Sequence, residues 1–351
     1  MDDSQIYVPL EAVPAADSES GEGAAPAALI ALERETGSKR WSYPVASQLP
    51  PLLTHGVVLV AAANEIHAVG LRDGQRQWGI PLDAAVREPM ISRGALLLAL
   101  TGADQLMAFD LERRHVVWQR AIGESGRVFM TADDQAVYIA TESGRATRIN
   151  LADGSTAWDR RLDGVLSQPT IDRDRLILGS DPQNERAVRG SLWALDAKSG
   201  LDKWHVQGGF LAAAVVGSAV EDDTLYVVSK DNFLRSLDRE TGSQQWKKPV
   251  GTRPLFPPRL FEGVVAVTGL TPALSAFLAK DGKPVSTWAA PANALLQGQP
   301  LVDLPQPFRV NIVVMLRDSR VFGLTSTEML FKSPPLVPRS TLPGRSLSPE
   351  Q

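Results

Sequence analysis

Three oxygen-bearing side chains fall close together at Asp181, Asn184 and Glu185, and converging oxygens of this kind ligate a hard cation such as calcium. Their spacing fits no calcium loop, and a solvated turn accounts for them. The four histidines are His55, His67, His115 and His205. They are scattered along the chain, and His67 reads as a packed or half-exposed strand residue. Asp172 and Asp174 alternate with Arg173 and Arg175, the pattern of a charged turn between strands. The chain has no cysteine, which excludes disulfides, thiolate metal sites and a cysteine nucleophile. It also carries no phosphate-binding glycine loop and no serine nucleophile elbow. What remains is recognition chemistry. Within Val250-Gly251-Thr252-Arg253-Pro254-Leu255-Phe256, Arg253 and Phe256 are of the types favoured as interface anchors, and they are the candidate partner contacts.

The elements that position these residues come from one repeated phrase. Leu237-Asp238-Arg239-Glu240-Thr241-Gly242 runs on to Trp246. Closely similar phrases end at Trp41 and Trp204, and looser ones at Trp78, Trp118, Trp158, Trp288 and Phe331. A period of roughly forty residues with a shared aromatic signals a repeat architecture. Gly37, Gly74, Gly154, Gly200 and Gly242 each precede their tryptophan by four residues. In a hairpin loop such a glycine supplies a positive φ, and the neighbouring Asp, Ser or Thr bonds local backbone. A small residue recurs six positions before the glycine slot in most copies: Ala31, Ala68, Ala108, Ala194, Ser236 and Ala276. Small side chains at a fixed strand position allow a neighbouring sheet to approach. The indoles then bury large rings between sheets and offer one N–H each. Recurrence in every copy favours core packing over a ligand-stacking track.

Each unit also contains a Val/Leu/Ile-rich run, such as Val57-Val58-Leu59-Val60 or Leu225-Tyr226-Val227-Val228, often after a proline: Pro51, Pro89, Pro169, Pro257, Pro300. Proline is tolerated at the first residue of a strand. Short strands at even spacing without helical periodicity predict an all-β, eight-bladed β-propeller of four-stranded antiparallel blades. Seven units lie between Trp41 and Phe331. The segment before Trp41 supplies three strands of another blade, and the carboxyl tail is the expected donor of its missing inner strand. A seven-bladed ring is the alternative. The expected organisation is one domain over residues 1–351, with a mobile loop over 11–27 and a ring-closing strand and tail over 335–351. A second excursion spans Ser180 to Arg189.

Composition narrows the partners. The 351 residues carry a formal net charge of −4 and no long basic run, which disfavours nucleic acid. The longest apolar runs, such as Phe210 to Val220, are too short to span a bilayer. Met1-Asp2-Asp3-Ser4 is acidic and lacks a signal-peptide core. Either a cytoplasmic protein or one whose address has been removed is expected from that start.

The phrase Ala194-Leu195-Asp196-Ala197-Lys198-Ser199-Gly200 with Trp204 resembles the repeat of pyrroloquinoline-quinone (PQQ)-type propellers, and the resemblance extends from about Ile6 to Phe331. That repeat serves quinoprotein dehydrogenases and non-catalytic relatives, of which the outer-membrane assembly lipoproteins of the BamB family are eight-bladed periplasmic scaffolds. Resemblance to the dehydrogenases implies a quinone, a calcium ion held by Glu, Asn and Asp, and an Asp base. Ser42-Tyr43-Pro44-Val45-Ala46-Ser47-Gln48-Leu49 follows Trp41 where those enzymes carry His and Asp, and no stretch matches their ligand motifs. Resemblance to BamB implies no catalytic residue, no cofactor and no metal. It also implies a monomeric propeller in an extracytoplasmic envelope complex with a protein partner. Two features of that family are missing: its Leu-Ser-Leu-Arg-Gly type motif, for which Val250–Phe256 is the nearest analogue in position, and its lipidated cysteine. The alternatives are a quinone-dependent dehydrogenase and a propeller that senses a ligand in its central channel.

Overall fold

A computed structural model gives the fold. It describes residues 4–12, 26–34, 36–124, 126–181, 190–207, 215–261, 263–270 and 274–289, together with strand segments 301–302, 312–315 and 321–324. Every regular element among them is a β-strand, and the strands form eight separate antiparallel sheets that follow one another along the chain. The eight-bladed propeller is therefore the architecture, and the seven-bladed alternative falls away.

Blade 2 shows the common plan. Leu52–Thr54 is innermost, then come Val57–Ala61, Glu65–Gly70 and Arg76–Pro81, each paired with the next. The innermost strands of blades 2 to 8 lie side by side and surround a central channel. Blade 1 contains Gln5–Leu10, Ala28–Glu33 and Lys39–Pro44, three strands among the described residues. The ring-closing segment 335–351, most of loop 11–27, Asn184, Glu185 and Phe331 lie outside the described residues.

The second strands of blades 2 and 4 are covered on both faces by neighbouring blades. That is why Val57–Ala61 and Ala136–Thr141 are buried throughout and read as continuous apolar runs, without the alternation of a one-sided sheet. The core is accordingly a series of inter-blade layers. Leu59, Ile66, Leu97 and Phe109 fill the layer between blades 2 and 3. Leu98, Leu106, Val137 and Ile149 fill the next. The outer strands form the rim and carry charge, as in Thr156–Arg161 and Gln244–Pro249, which blunts exposed sheet edges.

The repeated phrase is a hairpin with a built-in bulge. Register slips by one residue just after the small-residue slot, between Ala194 and Leu195 and again between Ser236 and Leu237. The Asp that follows closes the turn. Asp238 Oδ1 accepts the N–H and the hydroxyl of Thr241, each at 2.8 Å, and Asp196 does the same for Ser199. The Gly242 N–H donates to the Asp238 carbonyl at 2.8 Å. In the spacing Asp-x-x-Thr/Ser-Gly one carboxylate thus holds the turn whose last residue must take a positive φ.

The indoles of blades 1, 3, 4 and 5 engage the following blade. Trp41, Trp118, Trp158 and Trp204 donate Nε1–H to the carbonyls of Leu71, Leu151, Ala197 and Arg239 at 2.7–3.0 Å. The same rings lie against the hairpin glycines of those blades. A Cβ on Gly200 would stand 2.7 Å from Trp158 Cδ2, and one on Gly242 would stand 2.9 Å from Trp204 Cε3. The copies in blades 3 and 7 depart from the expected spacing or glycine. Blade 3 has Arg114 at the glycine slot with φ 56°, its guanidinium 5.3 Å from the Trp78 ring centre. In blade 7, Ser286 pairs with the small slot at Ala276, whereas Trp288 pairs with Leu274. Trp288 therefore sits two residues past the repeat position, which corrects its assignment as the seventh repeat aromatic. Its spacing from Gly282 already carried that information.

Candidate docking face

At one end of the ring the chain crosses from the outer strand of one blade to the inner strand of the next. Arg253 and Phe256 lie on such a crossing, between Gln244–Pro249 and Arg259–Phe261. Pro254 forms an antiparallel bridge with Gly269. The Leu255 N–H donates to the Thr268 carbonyl at 3.0 Å, and the Leu270 N–H donates to the Arg253 carbonyl at 3.2 Å. Gly269 allows this approach, because a Cβ there would meet Thr252 Oγ1 at 2.2 Å. The crossing is thus a short paired ribbon that fixes the side chains it presents. Leu255 and Leu270 are 40% and 48% exposed, Arg253 is exposed and Phe256 is half-buried.

Blade 3 uses the same backbone device with different chemistry. The Arg87 N–H donates to the Leu100 carbonyl and the Gly102 N–H to the Ala85 carbonyl, around a Val86–Thr101 bridge. There Arg87 stands where blade 7 has Leu255, and Glu88 where it has Phe256. Arg87 is engaged by Asp104 at 3.4 Å and by the Glu124 carbonyl at 3.1 Å. Of these two crossings blade 7 has the apolar tip, and sequence reading of the loop missed Leu255 and Leu270. The pairing of Leu270 with the crossing depends on a contact between segments that no local pattern reveals.

The ribbon forms part of the rim of the central channel, a cavity of about 1410 Å³. Arg127, Glu142, Asp181, Lys230 and Arg259 also line it. Lys230 and Asp181 pair at 2.8 Å, and Arg127 lies over Phe129 with 4.8 Å from guanidinium to ring centre. Burial pushes the Glu88 carboxyl above its ordinary value, against the hydrogen bond from the Val128 N–H and the nearby Arg127 and Arg87 charges.

The other chemistry-bearing residues do not gather. His67 bridges the Tyr43 hydroxyl at 2.9 Å and Glu65 at 3.2 Å. His55 occupies a hairpin at φ 47° beside Thr54. His115 is exposed on the outer strand of blade 3, and His205 stacks on Trp193 at 3.4 Å, where burial lowers its imidazole pKa. Among the described residues no three His, Asp or Glu side chains converge as a metal site requires. The Asp172–Arg175 segment is the charged turn between strands that the sequence suggested, and it also takes part in an inter-blade ion cluster. Arg239, 3% exposed on blade 6, engages Asp172, Asp174 (3.2 Å) and Glu240 (2.5 Å), while Arg175 engages Glu240. Lys203 completes the cluster with Asp174 at 2.8 Å.

Antiparallel blades, indoles latched to the hairpin of the following blade and the repeated Asp-x-x-Thr/Ser-Gly turn define a PQQ-type repeat β-propeller. The chain belongs to the family described as outer membrane protein assembly factor BamB, whose model matches residues 20–110 and 102–255. Among curated relatives, the outer membrane protein assembly factor BamB of Yersinia pestis is 24% identical over 242 residues, 63% of this chain and 58% of that protein. The protein of the same name from Alkalilimnicola ehrlichii is 25% identical over 207 residues, 55% of this chain and 49% of that one. The matched part thus spans about half the length of these relatives. The crystal structure of BamB from Moraxella catarrhalis superposes with a TM-score of 0.64 at 19% identity, covering 91% of this chain and 95% of that one. That likeness concerns the fold.

Proposed function

We propose that the protein is a non-enzymatic scaffold of the BamB kind. It acts outside the cytoplasm and presents the blade 7 ribbon to a protein partner in an outer-membrane assembly complex. The observation that carries this reading is the ribbon itself: Leu255, opposite Thr268, and Leu270, opposite Arg253, are both exposed on one hydrogen-bonded support, with Phe256 next to Leu255 in the chain. Exposed leucines on a fixed backbone lose little freedom on docking, and an adjacent arginine and aromatic supply the usual anchors. The name shared by the relatives supports the choice of partner. The occupant that fits is an apolar protein segment carrying a carboxylate for Arg253. Membership of the BamB family supports a role without catalysis, and residues 1–351 act as a single propeller domain.

A photo-crosslinking residue at Leu255 or Leu270, in cells of the source organism, tests the reading. The expected product is a discrete adduct with an outer-membrane assembly component, lost when Arg253→Glu is added. Adducts spread over many abundant proteins, or an unchanged adduct in the Arg253→Glu variant, would refute the docking assignment. Dye reduction with added quinone and calcium would refute the non-enzymatic part.

A further inference from the structure

The repeat contains its own control for an unusual residue at the opposite end of the ring. On the third strand, the position paired with the repeat tryptophan is Ala31, Ala68, Ala108, Ala194 or Ser236 in blades 1, 2, 3, 5 and 6. In blade 4 it is Arg148, opposite Trp158. The next turn position also changes. Where Asp110, Asp196 and Asp238 close their hairpins with a carboxylate, blade 4 has the amide of Asn150. One copy therefore gains a cation where most have a methyl group. It has an amide two residues away where blades 3, 5 and 6 have a carboxylate and blades 2 and 7 have Gly70 and Leu278. The blade 4 turn is closed instead by Asp153, which accepts from Ser155.

Arg148 is 9% exposed. Its Nη1 donates to Asn150 Oδ1 at 2.8 Å, while Asn150 Nδ2 donates to Ser155 Oγ at 2.9 Å. Its Nε–H has no acceptor, and no carboxylate lies within ion-pairing distance among the described residues. Asp133 is one hydroxyl away, and Asp134 and Asp153 line the same notch without pairing with Arg148. Tyr138 donates to Asp133 Oδ2 at 2.8 Å, and burial together with Asp133 pushes its phenol up to about 12. Tyr138 therefore remains protonated and presents only a neutral oxygen to Arg148. A second guanidinium arrives from blade 3. Arg93 donates Nε–H to the Ala132 carbonyl at 2.7 Å and Nη1–H to the Ser92 carbonyl at 2.9 Å, which spans the gap between blades and leaves Nη2 unused. Both arginines line a notch of about 640 Å³ with Leu96 and Leu151 among its apolar walls and Gln135 at its edge.

We propose that this notch between blades 3 and 4 is a carboxylate-binding site, which takes an Asp or Glu side chain or the C-terminal carboxylate of a bound peptide. A buried cation lacking a counter-ion costs free energy that a well-placed carboxylate recovers through charge-assisted hydrogen bonds. Guanidinium groups are the donors best shaped for that partner. Leu96 and Leu151 suit the aliphatic stem of the incoming group. Asp134 and Asp153, also lining the notch, discriminate against doubly charged phosphate and polyanions by like-charge repulsion. The site is independent of the blade 7 ribbon and stands or falls without it.

The test is a titration of the whole protein followed by NMR at the Leu96 and Leu151 methyl groups. The probes are N-acetyl-Leu-Glu-amide for a side-chain carboxylate, N-acetyl-leucine for a chain terminus, N-acetyl-Leu-Gln-amide as the neutral match, and inorganic phosphate. Saturable shifts with either carboxylate probe, at least about tenfold tighter than with the neutral match or phosphate, are expected, and which of the two is tighter assigns the source. Arg148→Ala installs the residue that most copies already carry, so it should leave the melting temperature unchanged or raised while binding falls about tenfold or more. Arg93→Gln, at a residue that hydrogen-bonds to neither Tyr138 nor Asn150 among the described residues, should weaken binding in the same direction. Equal response to the Glu and Gln probes, phosphate binding as tight as carboxylate, or full binding retained in both variants would overturn the proposal. So would a fall in melting temperature on Arg148→Ala together with unchanged binding in Arg93→Gln, because Arg148 would then be only a strut for Tyr138 and Asn150.

Discussion

Gly200→Ala, compared with Gly56→Ala, separates the latch between blades from the demands of the turn alone. Both glycines hold a positive φ, 73° and 75°. An alanine at Gly56 finds nothing within 4 Å, whereas one at Gly200 meets Trp158 Cδ2 at 2.7 Å and Cγ at 3.0 Å. The shared part is the cost of a left-handed conformation, about 1–2 kcal/mol for a residue with a Cβ. The extra part at Gly200 is overpacking against an indole that cannot retreat, since its Nε1–H is held by the Ala197 carbonyl at 3.0 Å. Overpacking of a well-filled site costs about 1–3 kcal/mol. Gly200→Ala should therefore destabilise by about 2–5 kcal/mol, and Gly56→Ala by about 1–2 kcal/mol. Urea unfolding followed by tryptophan fluorescence and, separately, by far-UV circular dichroism would measure both, with coincidence of the two probes checked first. Equal shifts in the two variants would refute the latch as an energetic element and leave only the turn geometry.

Two further outcomes follow from the charged groups. Asp238 and Asp196 have their carboxyls held below the ordinary range by hydrogen bonds from Thr241 and Ser199 respectively. A lowered folded value means that the stabilisation is present above the unfolded carboxylate pKa and is lost as pH falls through the folded value. Melting temperature should accordingly drop on acidification below the ordinary Asp range, less steeply in an Asp196→Asn, Asp238→Asn double variant, and identical acid limbs would contradict the turn assignment. Arg239→Ala, which strands Asp172 and Asp174 between blades 5 and 6, should cost about 2–4 kcal/mol, below a fully buried pair because those partners reach solvent. A change under about 0.5 kcal/mol in urea unfolding would show the cluster to be no more than surface charge.

The residues that decide architecture were legible because they act locally. A glycine four residues before a tryptophan, an Asp three before a Thr or Ser, and an apolar run after a proline report backbone conformation within a few positions. Repetition then multiplied each weak signal into a blade count. Trp288 escaped that reading because an aromatic two residues out of register looks like any other until strand pairing places Ser286 opposite Ala276. Arg253 and Phe256 were visible as residue types in a loop, but the place of Leu270 opposite Arg253 was not, since the two segments are brought together by the Pro254–Gly269 bridge.

Chain order alone determined that this protein is a ring of short sheets, because turn chemistry and side-chain alternation are properties of neighbours in sequence. Only the tertiary structure decided which groups meet across the blades: Trp41 resting on Gly74, Arg239 reaching Asp172, and Arg93 standing beside Arg148 over one notch. Those meetings depend on how one twisted sheet stacks on the next, and residues roughly a repeat apart carry no mark of it until the sheets are packed.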